Sequence, residues 1–243
     1  MTKTDADECT PERQGQIDER TESGVGPVTA AEPTPGASDD IARALAHLRA
    51  SDPTLARLID AAGAYELRRG SAHFSSLLSS IVSQQISTHA AAAVMRRVEA
   101  LVPEGEELTA GVVVALDPGA LRGAGLSAAK TAYVLDLAAR VAGGQLDLER
   151  LTALDDEAVI AELVQVKGIG RWTAEMFLMF SLGRPDVLPV DDLGLRTALR
   201  RHYALATLPD RAASHALGAP WAPYRSVATW YLWRSLQTMP KER

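Results

Sequence analysis

A single cysteine, Cys9, stands in 243 residues. One thiol excludes an internal disulfide framework, a zinc site built from several cysteines and a four-cysteine iron–sulfur cluster. No run of about 18 apolar residues occurs, so a membrane-spanning helix is ruled out. The opening Met1-Thr2-Lys3-Thr4-Asp5 lacks the apolar stretch of an export signal, and a cytoplasmic protein is expected. Sustained period-two alternation between hairpin turns is missing too. The one strand-like run, Val112-Val113-Val114, is isolated and reads better as part of a helix.

Hydrophobic residues make up 47% of the chain, enough for an ordinary core. The net charge of -6 argues against a nucleic-acid partner until its distribution is considered. Residues 1–40 hold ten acids and three bases, whereas residues 41–243 hold 22 bases and 21 acids. From residue 160 onward there are eleven bases and seven acids, a mild positive bias that permits DNA binding.

Residues 1–37 are rich in Asp, Glu, Thr, Pro and Gly and contain no aromatic residue. Such a composition cannot bury enough apolar surface to offset chain entropy, so this segment reads as a disordered acidic tail. Residues 38–243 read as one folded domain. Asp39 or Asp40 can cap a helix bearing Ile41, Leu45 and Leu48, and Asp52-Pro53 starts the next. Helical stripes recur at Leu77, Leu78, Ile81 and Val82, at Ala91 to Leu101 behind a Ser87 or Thr88 cap, and from Leu126 to Val141. The fold class is all-α, with roughly ten short helices.

Three features carry chemistry. A helix opened by Asp155-Asp156-Glu157 runs into Lys167-Gly168-Ile169-Gly170-Arg171-Trp172-Thr173-Ala174, and a second apolar run follows at once. Glycines on either side of Ile169 let the backbone turn tightly, with Ile169 as a plug beneath. The N–H groups of Gly168, Gly170 and the next helix's first turn, through Thr173, are then free to hold an anion with the helix dipole behind them. A DNA phosphate flanked by Lys167 and Arg171 fits. A bare Gly-x-Gly corner is as readily an ordinary helix cap; Val166, Ile169, Trp172 and Ala174 at helix-hairpin-helix positions favour the DNA reading. The second feature is Asp191-Asp192, adjacent carboxylates at a helix mouth after a Pro-rich loop. They read either as an N-cap and a first-turn acid, or as one cap and one catalytic carboxylate facing a cleft. Third, nine of the twelve aromatic residues, including all four tryptophans, follow residue 170. Trp172 is the one least suited to a core and best suited to receiving a flat, cationic heterocycle.

Together these segments, with Ile81-Val82-Ser83-Gln84-Gln85-Ile86-Ser87, Leu121-Arg122-Gly123-Ala124-Gly125-Leu126-Ser127-Ala128-Ala129-Lys130 and Trp221 through Trp233, resemble the helix-hairpin-helix/Gly-Pro-Asp DNA glycosylases. Within that superfamily the resemblance is to the DNA-3-methyladenine glycosylase II group. It implies a two-lobed helical fold with the active site between lobes, and excision of alkylated bases from double-stranded DNA by a monomer, in the cytoplasm at the nucleoid. It places the catalytic role on Asp192, with Asp191 as alternate, the base pocket on Trp172, Trp233 and Tyr224, and the wedge that fills the vacated stack on Gln85, with Gln84 beside it. No organic cofactor or side-chain metal site is implied, although hairpin carbonyls in this family hold a monovalent cation. Relatives with lyase activity carry a lysine where this chain has Trp172, so no Schiff base is expected. The competing readings are a non-catalytic helix-hairpin-helix DNA-binding module, a glycosylase for oxidised or deaminated bases, and a helical scaffold.

Overall fold

The structure, a computed structural model, describes residues 37–66 and 73–238. The acidic tail expected up to residue 37 lies outside the described residues, save that Ala37 already opens the first helix. Thirteen α-helices and one short 3-10 turn are present, with no strand among the described residues. They are α1 (Ala37–Ser51), α2 (Pro53–Ala62), α3 (His73–Ser83), α4 (Thr88–Glu99), α5 (Ala110–Ala115), α6 (Pro118–Gly123), α7 (Ala128–Ala142), α8 (Leu148–Leu151), α9 (Asp156–Leu163), α10 (Arg171–Phe180), α11 (Leu193–His202), α12 (Arg211–Gly218) and α13 (Arg225–Thr238). The count exceeds the expected ten because α5, α6 and α8 are single capped turns of four to six residues, too short to show a periodic stripe. The valine run at 112–114 is helical, within α5.

Local chemistry sets the starts. Asp52, Ser87, Thr109, Asp117, Ser127, Asp147, Asp155, Asp192 and Asp210 each accept a backbone N–H at an N-cap. Each such cap stabilises its helix by about 1 kcal/mol. Pro53 and Pro118 sit in the first turn, where the missing N–H costs nothing.

The buried side chains form two cores. Leu77, Ile81, Val98, Leu137, Leu163 and Leu178 belong to the first, built by α3 to α10. Leu48, Leu55, Ile59, Leu199, Trp221 and Tyr231 belong to the second, where both ends of the described part of the chain meet as α1, α2 and α11 to α13. Asp52 ties those ends together. Its Oδ1 caps α2, and its Oδ2 accepts the Tyr203 hydroxyl at 2.5 Å and the Trp221 indole N–H at 2.8 Å. Burial, followed by the adjacent carboxylate, pushes the Tyr203 hydroxyl pKa up, keeping it a donor.

The linker from α10 to α11 passes from one core to the other and is fastened to α13. Arg225 makes a two-pronged pair with Asp186 at 2.7 and 2.8 Å. The buried Ser226 hydroxyl donates to the Arg184 carbonyl at 2.7 Å and accepts the Val187 N–H at 2.9 Å. A Pro-containing segment that would otherwise wander is thereby fixed just before Asp191-Asp192.

Candidate active site

The fastened linker delivers Asp192 to the N-cap of α11, 7% exposed. Three neutral donors converge on its carboxylate. Oδ1 accepts the Leu195 N–H at 2.6 Å and the Trp233 indole N–H at 2.7 Å, and Oδ2 accepts the Trp172 indole N–H at 2.9 Å. A carboxylate has about four acceptor positions, so one remains, on Oδ2. Trp172 comes from the start of α10, and Trp233 reaches over from α13 to pack on the first core, stacked on Phe180 with centroids 6.0 Å apart. Trp172 is 45% exposed, as expected of an indole unsuited to the core.

The neighbouring Asp191 lies elsewhere. It is exposed and forms a two-pronged ion pair with Arg211 from the start of α12, which holds its carboxyl below the usual carboxylate range. The expected division of labour, one acid capping and the other facing the site, is therefore corrected. Asp192 both caps α11 and meets the two indoles, because a carboxylate has two oxygens and the N-cap uses only one.

The hairpin joins α9 to α10. Val166, Ile169 and Ala174 are buried, with Ile169 as the plug. Only one of the two glycines needs its special backbone. Gly168 has φ +81°, and a Cβ there would sit 2.2 Å from Tyr133 Cδ2, whereas Gly170 is extended at φ -94° with open space around it. Gly170 is the N-cap of α10 and brings no side chain, so the N–H groups of Gly170, Arg171, Trp172 and Thr173 are left to an external acceptor. Thr173 is buried and can contribute only through its backbone.

Other expected site residues fall differently. Arg171 does not stand beside the turn as a free cation. Its guanidinium forks onto Glu157 and its Nε donates to Glu175 at 3.0 Å, because two acids on its own helix and the preceding one lie within reach. Lys167 remains exposed, with Nζ 3.6 Å from Asp136. Gln84 faces inward and donates through Nε2 to the Gly168 carbonyl at 2.8 Å, while Gln85 is exposed with φ +58°. Tyr224 packs on the second core and meets His47 edge-on, with centroids 5.5 Å apart.

Sequence reading assigned nothing to Glu175, Arg211 or Lys130. Glu175 carried a signal, a lone acid inside an apolar run. It is 4% exposed, its Oε2 has no partner, and burial pushes its pKa up to about 7 against the opposing pull of Arg171. Lys130 ends the run from Leu121, and its partners Val82 and Gln84 are distant in sequence.

The Val166 carbonyl accepts the Ile169 N–H at 3.1 Å and the Gly168 carbonyl accepts Gln84, so each keeps a second lone pair. Among the described residues no three His, Cys, Asp or Glu side chains gather as metal ligands. None of their helices is long and apolar enough to cross a membrane.

A two-lobed helical fold with a hairpin at one lobe's edge and an indole-bonded carboxylate entering from the other defines a class, the helix-hairpin-helix glycosylase fold. Residues 78–223 match the model of the HhH-GPD superfamily of base excision DNA repair proteins, and the chain belongs to that superfamily. It is 33% identical to DNA-3-methyladenine glycosylase 1 of Schizosaccharomyces pombe over 80% of this chain and 87% of that protein. Among solved structures, a 3-methyladenine DNA glycosylase of the same yeast in complex with abasic DNA superposes with a TM-score of 0.73, covering 80% of this chain and 97% of that one at 33% identity. A DNA-3-methyladenine glycosidase of Bacillus halodurans gives 0.72, with 80% and 89% covered at 40% identity.

Proposed function

We infer that this chain excises alkylated bases of the 3-methyladenine and 7-methylguanine type from duplex DNA by hydrolysing the N-glycosidic bond, as a monofunctional glycosylase without lyase activity. The observation that carries this reading is the Asp192 carboxylate held by both Trp172 and Trp233 indole N–H groups.

Backbone N–H groups of Gly170 to Thr173 grip a phosphate, and Lys167 adds charge beside it. A monovalent cation on the hairpin carbonyls of Val166 and Gly168 would add positive charge at the same place. Gln85 fills the gap left when the lesion swings out, and the extruded base lies against Trp172 and Trp233. A base methylated at N3 or N7 already carries positive charge, so indole faces attract it and little acid help is needed. As the C1′–N bond breaks, its electron pair leaves with the base and cancels that charge. Asp192 stabilises the oxocarbenium-like sugar and orients a water, whose oxygen bonds to C1′ and whose proton passes to Asp192 or solvent. The protein acts as a monomer at DNA in the cytoplasm, at the nucleoid.

The test is to incubate the protein with methylated duplex DNA and identify the released bases by chromatography. Asp192→Asn should lose excision yet bind DNA nearly as the parent does, since Asn still caps α11. Full activity in that variant would move the role to Asp191. The abasic strand should remain unbroken; strand scission at the abasic site would overturn the monofunctional reading.

A further inference from the structure

Helix α7 touches the two DNA-facing loops at three points spaced three residues apart. At the first, Lys130 Nζ donates to the Val82 carbonyl at 2.8 Å and the Gln84 carbonyl at 2.5 Å. The Val82 oxygen is one of the last carbonyls of α3, which helix termination leaves without an N–H. At the second, the Tyr133 ring lies against the Gly168 backbone closely enough to forbid a Cβ there. At the third, Asp136 Oδ2 accepts the Lys167 N–H at 3.0 Å. Gln84 closes the circuit by donating to the Gly168 carbonyl at 2.8 Å. Positions 130, 133 and 136 share one face of a helix and span about 9 Å along its axis.

The backbone at Gln85 explains why such a brace is needed. A φ of +58° is costly for a residue with a Cβ and persists only where the surroundings impose it. The Gln84 carbonyl belongs to the peptide unit that joins Gln84 to Gln85. Fixing that oxygen fixes the plane of the unit, which is one of the two sides of the torsion that defines the φ of Gln85. Lys130 grips that oxygen, and Gln84's own side chain is anchored on the hairpin.

We propose that Lys130 is a positioning residue for Gln85, and that α7 acts as a strut holding the wedge at a set distance from the phosphate-gripping hairpin. This rests on the reading above that Gln85 fills the stack vacated by the lesion. Extrusion of the base and grip on the flanking phosphate are then geometrically one event, since both loops register on the same helix.

The experiment is a double-mutant cycle of Lys130→Met and Gln85→Ala. It is read as single-turnover excision of a methylated base, once from a fully paired duplex and once from a single strand where no stack needs filling. On the duplex each single variant should be slowed about tenfold or more, and the double variant should be no slower than the slower single, because both act through one wedge. Single-strand excision should stay within about twofold of the parent for all three, since the wedge acts only in extruding a stacked base. Lys130→Arg, which retains donors, should restore most of the duplex rate. Losses that multiply in the double variant, or an equal loss on both substrates, would overturn the positioning role. If Gln85→Ala slows the duplex reaction and Lys130→Met does not, the wedge stands and the Lys130 role falls. If Gln85→Ala changes nothing, the wedge reading itself falls and the strut with it. Should Lys130→Met lose its helical circular dichroism, Lys130→Gln, with a neutral donor for one carbonyl, carries the same cycle.

Discussion

The indole N–H of Trp233 meets Oδ1 of Asp192 at 2.7 Å, joining side chains 41 residues apart on α13 and at the start of α11, two helices of the second core. Trp172 meets the other oxygen from the hairpin side. The carboxylate is thus oriented by both lobes, and its geometry reports how the lobes are set against each other.

That arrangement separates the faces of the indoles from their N–H groups. Trp172→Phe or Trp233→Phe keeps an aromatic surface and deletes one donor. A hydrogen bond to a charged group contributes about 1.5–3 kcal/mol, so each variant should lower the excision rate constant about 10- to 100-fold. Single-turnover kinetics on methylated duplex would check this; unchanged rates in both variants would show that the indoles do not orient Asp192.

The two hairpin glycines should behave oppositely. Gly168→Ala faces both a left-handed φ and the Tyr133 ring, and should lower the unfolding free energy by more than about 1 kcal/mol in urea titrations. Gly170→Ala meets nothing within 4 Å and should fold normally. Its new methyl stands at the capless start of α10, so weaker DNA binding at unchanged stability is the expected signature of phosphate docking there. Equal stability loss in the two variants would contradict the different backbones of these residues.

Salt dependence distinguishes Lys167 from Arg171. Lys167→Ala should reduce the log–log salt slope of DNA binding by about 0.9, the value for one phosphate contact on B-form DNA. Arg171→Ala should leave that slope unchanged, because its cation is spent on Glu157 and Glu175. It should instead destabilise the fold, less at pH 6 than at pH 8, since the buried Glu175 loses its partner but can take up a proton. Affinities from 50 to 200 mM salt, with urea unfolding alongside, measure both effects; a slope change for Arg171→Ala would return it to the DNA-binding face.

Glu175 should leave a mark on the pH dependence of stability. Its folded pKa, raised by burial to about 7, exceeds the ordinary 4.5, although Arg171 and Arg211 pull downward while Asp191 pushes upward. The folded state therefore holds this proton more tightly than the unfolded chain. Its contribution lowers stability as pH rises from 4.5 to about 7, then levels off. Glu175→Gln should flatten that part of the curve in urea unfolding at pH 5, 6, 7 and 8. A slope identical to the parent's would show that Glu175 is ionised throughout.

Most of the helices and the hairpin were legible from the amino-acid order, since N-caps, glycine turns and 3.6-residue stripes are contacts between near neighbours. Asp52, Ser87 and Asp155 announce helix starts that the structure contains, and Gly168-Ile169-Gly170 announces a turn whatever surrounds it. The proximity of Asp192 to two tryptophans was suggested by resemblance rather than by spacing. What only the tertiary structure decided is partnership: that Asp191 belongs to Arg211, Arg171 to Glu157 and Glu175, Gln84 to the Gly168 carbonyl and Tyr224 to His47. A charged or amide side chain bonds with whatever partner the folded chain brings within about 3 Å, and for these residues that is settled by how helices pack rather than by the order of their amino acids.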